Sequence, residues 1–378
     1  MTRPQTLTAP DELIALGRAS GLDAVGVCSA APFPEVRATL DERKAAGLHG
    51  DMRFTYLNPA RSTDPANALR RAGALVVGAL GYHRAEPSPP PSSGGPQARV
   101  ASYAWSDHYG ELKAALEPIA QRLRADGWRS RVLADDNALV DRAAAVRAGI
   151  GWWGKSSNVL LPGRGSWFVL GAVVTDAPLV TDEPVPVPDG CASCRRCLDG
   201  CPTGAIVAPG VVDARRCLSW LLQRPGVFPR EHRVALGDRI YGCDDCQEVC
   251  PPNRREHRHG MAPAEPGAEA WVTVLDLLRD PDDELLERHG RWYIWDREPR
   301  WVRRNALIVL GNTADGRDPA VAAALHDALV HDDPILRSHA IWASARLGRR
   351  DLLSLVERDD DPLVQAELAA LDAVTERA

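Results

Sequence analysis

The apolar residues of this chain change period several times, and each change marks an element. Over residues 110–124, Leu112, Ala115, Leu116, Ile119 and Leu123 recur at helical spacing, which predicts an amphipathic helix. DELIALGRAS (11–20) predicts a shorter helix closed by Gly21. AGALVVGALGY (72–82) and SWFVLGAVVTD (166–176) are short apolar runs bounded by turn residues, the signature of buried strands. Strands alternating with helices predict an α/β or α+β domain over this first part. EPSPPPSSGGPQ (86–97) reads as a surface loop, and APLVTDEPVPVPDG (177–190) and PPNRREHRHGMAPAEPGAEA (251–270) as connectors. The tail differs. EPRWVRRNALIVLGN, DDPILRSHAIWASARLG and DDPLVQAELAAL resemble one another, and the two Asp-Asp-Pro triplets begin at 332 and 360. A period of about 30 residues fits stacked helical pairs. Ile335, Leu336, Ala340 and Leu347 are expected to face inward.

At 378 residues the chain exceeds one ordinary core and suits two or three domains. The net charge of −6 excludes a general polycation, so any nucleic-acid contact must come from a local patch. MTRPQTLTAPDELIAL carries no export signal, and runs such as LVVGAL (75–80) are far too short to cross a bilayer. A cytoplasmic protein without a membrane segment is expected.

Nine cysteines sharpen the picture, because eight lie between 191 and 250. An odd count at dense spacing argues against disulfides and for metal or cluster ligands. CASCRRCLDGCP places Cys191, Cys194, Cys197 and Cys201 in the spacing C-x₂-C-x₂-C-x₃-C-P. In two-cluster ferredoxins the fourth cysteine of such a run ligates the other cluster. YGCDDCQEVCP supplies Cys243, Cys246 and Cys250, but Ile240 stands where a first cysteine belongs. The crossing rule gives one [4Fe–4S] cluster Cys191, Cys194, Cys197 and Cys250. The other takes Cys201, Cys243 and Cys246, with Cys217 or Cys28 left to complete it. Cys217, lying between the motifs, is the better placed; Cys28, in AVGVCSA, reads as a small buried side chain. A zinc ribbon and a plain electron carrier are the competing readings of this block.

DDNALVDRAAAVRAGIGWWGKSSNVLLPGRGSWFVLGAVVTD (135–176) is similar to the core signature of the epoxyqueuosine reductases. HGDMRFTYLNPARSTDP (49–65) resembles their early segment. CASCRRCLDGCPTGAI, RIYGCDDCQEVCPPN and the placement of Cys217 resemble their cluster block. The similarity covers nearly the whole chain, and the 135–176 segment is its most specific part.

The resemblance implies three domains: a cobalamin-binding catalytic α/β (α+β) domain over 1–185, a ferredoxin-like domain with two [4Fe–4S] clusters over 186–260, and HEAT-like α-helical repeats that bind tRNA over 270–378. The implied reaction reduces epoxyqueuosine to queuosine at the wobble position of a tRNA anticodon. Asp135 matches the proton donor, and such an acid needs apolar surroundings to keep its proton at neutral pH. Arg61, Asp135, Lys155, Asn158, Val159, Ser166 and Leu170 match positions around the cobalamin. Gly149, Gly151 and Gly154 suit a backbone passing close to a ligand. Arg300, Arg303, Arg304 and Arg337, near the starts of repeat helices, are expected to track tRNA phosphates. The partners expected are a tRNA with a queuosine-type anticodon and an external donor of the flavodoxin, ferredoxin or reductase kind, with the chain a monomer. The chain departs from the family pattern at Asp107-His108-Tyr109, at Leu222-Gln223-Arg224, at CPPN, and at Asp141, where the family has glutamate. Two other readings compete: a corrinoid and iron–sulfur reductase of a small molecule, and an electron-transfer protein without catalysis.

Overall fold

The computed structural model describes residues 6–89, 95–179, 184–258 and 261–375. It divides into two compact units interleaved along the chain. The first comprises Met1–Ala85, Ser106–Arg215 and Asp244–Pro263; the second comprises Glu86–Trp105, Arg216–Cys243 and Ala264–Ala378.

The first unit is built on an antiparallel sheet of β1 (Ala24–Ser29), β2 (Ala74–Gly81), β3 (Ser130–Ala134) and β4 (Phe168–Thr175), in the order β1-β2-β4-β3. Helices α1 (Pro10–Ala19), α2 (His108–Ala125) and α3 (Asp141–Arg147) pack on it. The central strands are apolar at nearly every position because both faces are covered. Leu75, Val77 and Ala79 on β2, with Leu170, Ala172 and Val174 on β4, form a core with the small residues Ala143, Ala144 and Ala145 of α3. Cys28 sits in that core at 0% exposure, as its apolar context predicts. On the other face Gly78 admits Leu22 and Leu116, which a Cβ there would meet at 2.8 and 3.0 Å. The antiparallel pairing makes the class α+β rather than α/β.

In the second unit, Arg239–Tyr241, Gln97–Val100 and Trp271–Thr273 form a small sheet. The tail folds as α4 (Arg300–Thr313), α5 (Pro319–Leu329), α6 (Pro334–Arg346) and α7 (Pro362–Thr375). The Asp-Pro pairs explain three of the helix starts. Asp318, Asp333 and Asp361 each accept a hydrogen bond from a backbone N–H of the first turn, at 2.8, 2.9 and 2.8 Å, and proline follows as the first helical residue. Ile335, Leu336 and Ala340 face inward as expected, whereas Leu347 lies past the helix end and is half-buried. The connector expected over 251–270 is corrected in its first part: Pro251–Arg258 is a helix, its prolines at the N-terminus where no intrahelical N–H bond is lost. Part of the 86–97 loop and of the 177–190 connector lies outside the described residues.

Two buried histidines make the second unit acid-sensitive. The His339 Nε2 accepts from the Phe228 N–H at 3.1 Å, and Nδ1 lies 2.7 Å from the Ile335 carbonyl. That pattern requires the neutral ring, and burial, with Arg233 next, holds its pKa well below the ordinary value. Burial, then Arg288 and Arg291, pushes His289 down to about 4. Below about pH 6.5 the unfolded chain takes up protons that the folded one refuses, so stability is full above that pH and is lost as pH falls towards 4. His289 alone should remove roughly 3 kcal/mol across that window. Melting curves from pH 7.5 to 5.5 should show the decline, and His289→Gln should flatten it. An unaltered slope in that variant would exclude His289 as a source.

A candidate site around one hairpin of the first unit

Trp152–Trp153 and Val159–Leu160 pair as a short hairpin, with Trp152 opposite Leu160 and Trp153 opposite Val159. Two of the glycines expected near a ligand also let the chain approach itself. A Cβ at Gly151 would press on the Leu160 carbonyl, and one at Gly154 on the Leu160 side chain.

The hairpin is tied on two sides. On one, Arg142 at the start of α3 donates to the Ser157 carbonyl at 3.1 Å. The loop between β3 and α3 carries Asp135, so this bond fixes the acid loop against the hairpin. Asp136 is a structural residue: its carboxylate pairs with Arg131 at 2.8 Å and accepts from the Ala138 N–H at 2.9 Å. Asp135 is exposed, with φ of 52°, a left-handed conformation that aspartate tolerates better than most residues. The protein supplies no burial for it. The carboxyl beside this loop whose pKa is raised is the half-buried Asp141, pushed up first by loss of solvent and further by the charge of Asp135, against the pull of Arg142. Sequence reasoning noted Asp141 only as a replacement for glutamate.

On the other side, Lys155 donates to the carbonyls of Ala192 and Cys194 at 2.5 and 3.0 Å. These belong to the first cysteine loop, so the lysine expected at a cofactor phosphate or amide is here engaged with the cluster motif. Trp152 lies against Gly190, where a Cβ would sit 2.7 Å from its ring. Its buried indole N–H has no acceptor among the described residues, which suits a site beside Cys191 that receives a non-protein acceptor.

Cys250 is gathered with Cys191, Cys194 and Cys197. Burial pushes its thiol up to about 11, and the three neighbouring thiols add to that rise. Cys197 is raised by burial and then by Cys191 and Cys194. Four convergent, half-buried thiols free of disulfides are the donor set that a cluster requires. Cys201, Cys217, Cys243 and Cys246 are likewise half-buried and outside any disulfide.

A buried network attaches the second cysteine motif to the sheet. Asn253, three residues after Cys250, accepts from the Ser166 N–H at 2.7 Å and donates to the Ser166 hydroxyl at 3.0 Å and to the Gln247 carbonyl at 2.8 Å. The Gln247 amide reaches the Ser166 carbonyl and hydroxyl, both at 3.1 Å, and the Tyr82 hydroxyl at 3.2 Å. Gly165, at φ of 69°, sits so close to Asn253 that no side chain fits there. Ser166, expected at the cofactor, is thus consumed in joining β4 to the cysteines. Val159 and Leu170 lie in the core at 2% and 6% exposure. Arg61 is exposed on the turn Pro59–Ser62, and Asn158 is half-buried at the hairpin tip.

The four arginines of the second unit separate. Arg304 is fully buried and donates to the carbonyls of Leu221, Leu222, Arg224 and Gly226, so its assignment to tRNA phosphates is corrected: no donor is left to reach outward. Arg303 pairs with Asp282 at 2.5 Å and Arg337 with Asp359 at 2.6 Å, each side chain 15% exposed. Arg300, paired with Glu298 and Asp333, keeps 43% exposure and is the most open of the four.

Comparison with known proteins places these features together. Residues 190–253 match the 4Fe-4S double cluster binding domain, and residues 293–372 match HEAT repeats. An epoxyqueuosine reductase of Vibrio cholerae is 39% identical over 342 residues, 85% of this chain and 88% of the relative. A crystal structure of epoxyqueuosine reductase with an epoxyqueuosine-modified tRNA-Tyr stem loop superposes with a TM-score of 0.84 at 29% identity, covering 95% of this chain and 96% of that one. A Bacillus subtilis epoxyqueuosine reductase with its catalytic aspartate loop swung out of the active site superposes at 0.83 and 29% identity, covering 95% of this chain and 96% of that one.

Proposed function

The chain belongs to the epoxyqueuosine reductase family, and from that premise we propose that it reduces epoxyqueuosine to queuosine at the wobble position of a tRNA anticodon. The reaction consumes two electrons and two protons and releases the epoxide oxygen as water. Cys191, Cys194, Cys197 and Cys250 hold one [4Fe–4S] cluster, and Cys201, Cys217, Cys243 and Cys246 hold the other. An external one-electron donor feeds them, in the cytoplasm. A cobalamin in the first unit supplies the carbon–oxygen bond chemistry that clusters, passing electrons singly, do not perform.

The observation that carries this reading is the doubly tied hairpin. Arg142 holds the Asp135 loop to it, and Lys155 holds it to the Cys191–Cys194 loop. Proton source and electron source therefore flank one short element. Arg61, Asp135 and Asn158 are open to a ligand, and Trp153, 45% exposed, offers an apolar face suited to a corrin plane. Val159, Ser166, Leu170 and Lys155 position these from beneath. Asp135 delivers a proton to the epoxide oxygen, and an apolar ligand covering its exposed face excludes the water that would otherwise compete. Arg300 and its neighbours meet the phosphates of the stem loop, exchanging carboxylate partners for phosphate, while the wobble base, in a single-stranded loop, is free to turn into the site.

Anaerobically reconstituted protein should take up one equivalent of cob(II)alamin, followed by its absorbance, and should bind the tRNA stem loop less tightly as salt rises. Protein that takes up no corrinoid, or binds the stem loop with an affinity indifferent to salt, would count against the proposal.

A further inference from the structure

Four polar side chains of the repeat helices, Arg304, Asn305, Asn312 and His339, engage one segment, residues 218–237. Arg304 of α4 donates to the carbonyls of Leu221 and Leu222 at 3.0 and 3.4 Å, and to those of Arg224 and Gly226 at 2.8 and 2.7 Å. Asn305 donates to the Leu222 carbonyl at 2.8 Å, and its side-chain Oδ1 accepts from Arg304 at 2.8 Å. Further along, Asn312 donates to the carbonyls of Arg233 and Gly237 at 2.8 and 3.1 Å, and His339 accepts from the Phe228 N–H. A fully buried guanidinium is costly, and four carbonyl acceptors on one segment offset that cost only while the segment keeps its shape.

The first two carbonyls are the significant ones. Leu221 and Leu222 end the one-turn helix Leu218–Leu221, and the residue that begins it is Cys217, in extended conformation at φ −74° and ψ 116°. A helix of four residues has almost no stability of its own. Its C-terminal carbonyls are unsatisfied within the turn, and a cation there is favoured. Arg304 and Asn305 supply those partners from the repeat unit.

We propose that Arg304 and Asn305 are positioning residues for Cys217, so that the repeats set the fourth ligand of the second cluster as well as any tRNA surface. This rests on the ligand assignment given under Proposed function. With Cys217 unfixed, Cys201, Cys243 and Cys246 would be left with three thiolates for a four-thiolate cluster.

The test is iron content and the electron paramagnetic resonance spectrum of the reduced full-length chain, reconstituted anaerobically. Wild type should carry about eight irons and show coupling between two reduced clusters. Cys217→Ala should fall to about four irons with an uncoupled spectrum. Arg304→Met and Asn305→Ala should move towards that same spectrum, and Arg304→Lys should restore part of the second signal. Arg337→Ala, which loosens α6 without touching this segment, should keep both clusters. Stem-loop affinity should stay within about twofold of wild type in Arg304→Lys and Asn305→Ala, since neither side chain reaches the surface. If Arg304→Met fails to fold, Arg304→Lys and Asn305→Ala decide. Two intact, coupled clusters in the folded variants would overturn the inference. Two intact clusters in Cys217→Ala would instead overturn the ligand assignment beneath it.

Discussion

Asp135→Asn should lower turnover by about 10²- to 10⁴-fold, the usual contribution of a positioned acid. Iron content, corrinoid uptake and stem-loop affinity should remain at wild-type levels. Asparagine is the informative replacement, because it tolerates the left-handed backbone at φ 52° and removes only the proton. Alanine at that φ would add backbone strain to the chemical loss. The neighbouring carboxylate gives the contrast. Asp136 is bound to Arg131 and to the Ala138 N–H, so Asp136→Ala should act on the loop's stability and only indirectly on rate. Single-turnover measurements with excess enzyme separate the two. An Asp135→Asn enzyme within about tenfold of wild type would remove this residue from the chemistry.

The largest loss of stability should come from Glu367→Ala. Arg233 is fully buried, and its Nη1 lies 2.9 Å from a Glu367 oxygen that Arg230 also approaches at 2.5 Å. Burial drags the Arg233 pKa down, and Glu367 opposes it. Removing the carboxylate leaves one buried and one half-buried guanidinium without their counter-charge, a change that costs about 3–5 kcal/mol. The melting temperature should fall by on the order of 10 °C. The double replacement Arg233→Met/Glu367→Leu should recover most of that loss, since an apolar pair of similar volume avoids the desolvation penalty altogether. A double variant as unstable as Glu367→Ala would show that the bonds from Arg233 to the Phe228 segment, rather than the ion pair, carry the effect.

Much of this was legible in the residues. The strands and the long helix of the first unit follow from short apolar runs and 3.6-residue spacing, which a covered sheet and an amphipathic helix impose directly. The cysteine spacings identified the cluster block because a cubane constrains its thiolates tightly. The Asp-Asp-Pro triplets mark two repeat helices, whereas the equivalent start at Asp318-Pro319 lacks the doubled aspartate and so falls outside that repeat pattern. What the sequence concealed is the direction of charged side chains. Arg300 and Arg304 are one helical turn apart on α4, yet Arg300 is 43% exposed and Arg304 is fully buried. Only the carbonyls of a segment about 80 residues earlier distinguish them, and no local pattern encodes those. The partners of Ser166 and Lys155 were hidden for a related reason: a motif match gives a position, while the group that the side chain engages, Asn253 or the Cys194 carbonyl, lies far along the chain.

The central claim is that electrons entering at the cysteine clusters and a proton from Asp135 together remove an epoxide oxygen from a tRNA nucleoside. Its most direct measurement gives the reduced, cobalamin-loaded enzyme a tRNA bearing epoxyqueuosine and then identifies the nucleoside after digestion. The account predicts queuosine, lighter by one oxygen, in amounts exceeding one per enzyme. Recovery of the intact epoxide from an enzyme shown to carry both clusters and the corrinoid would contradict it.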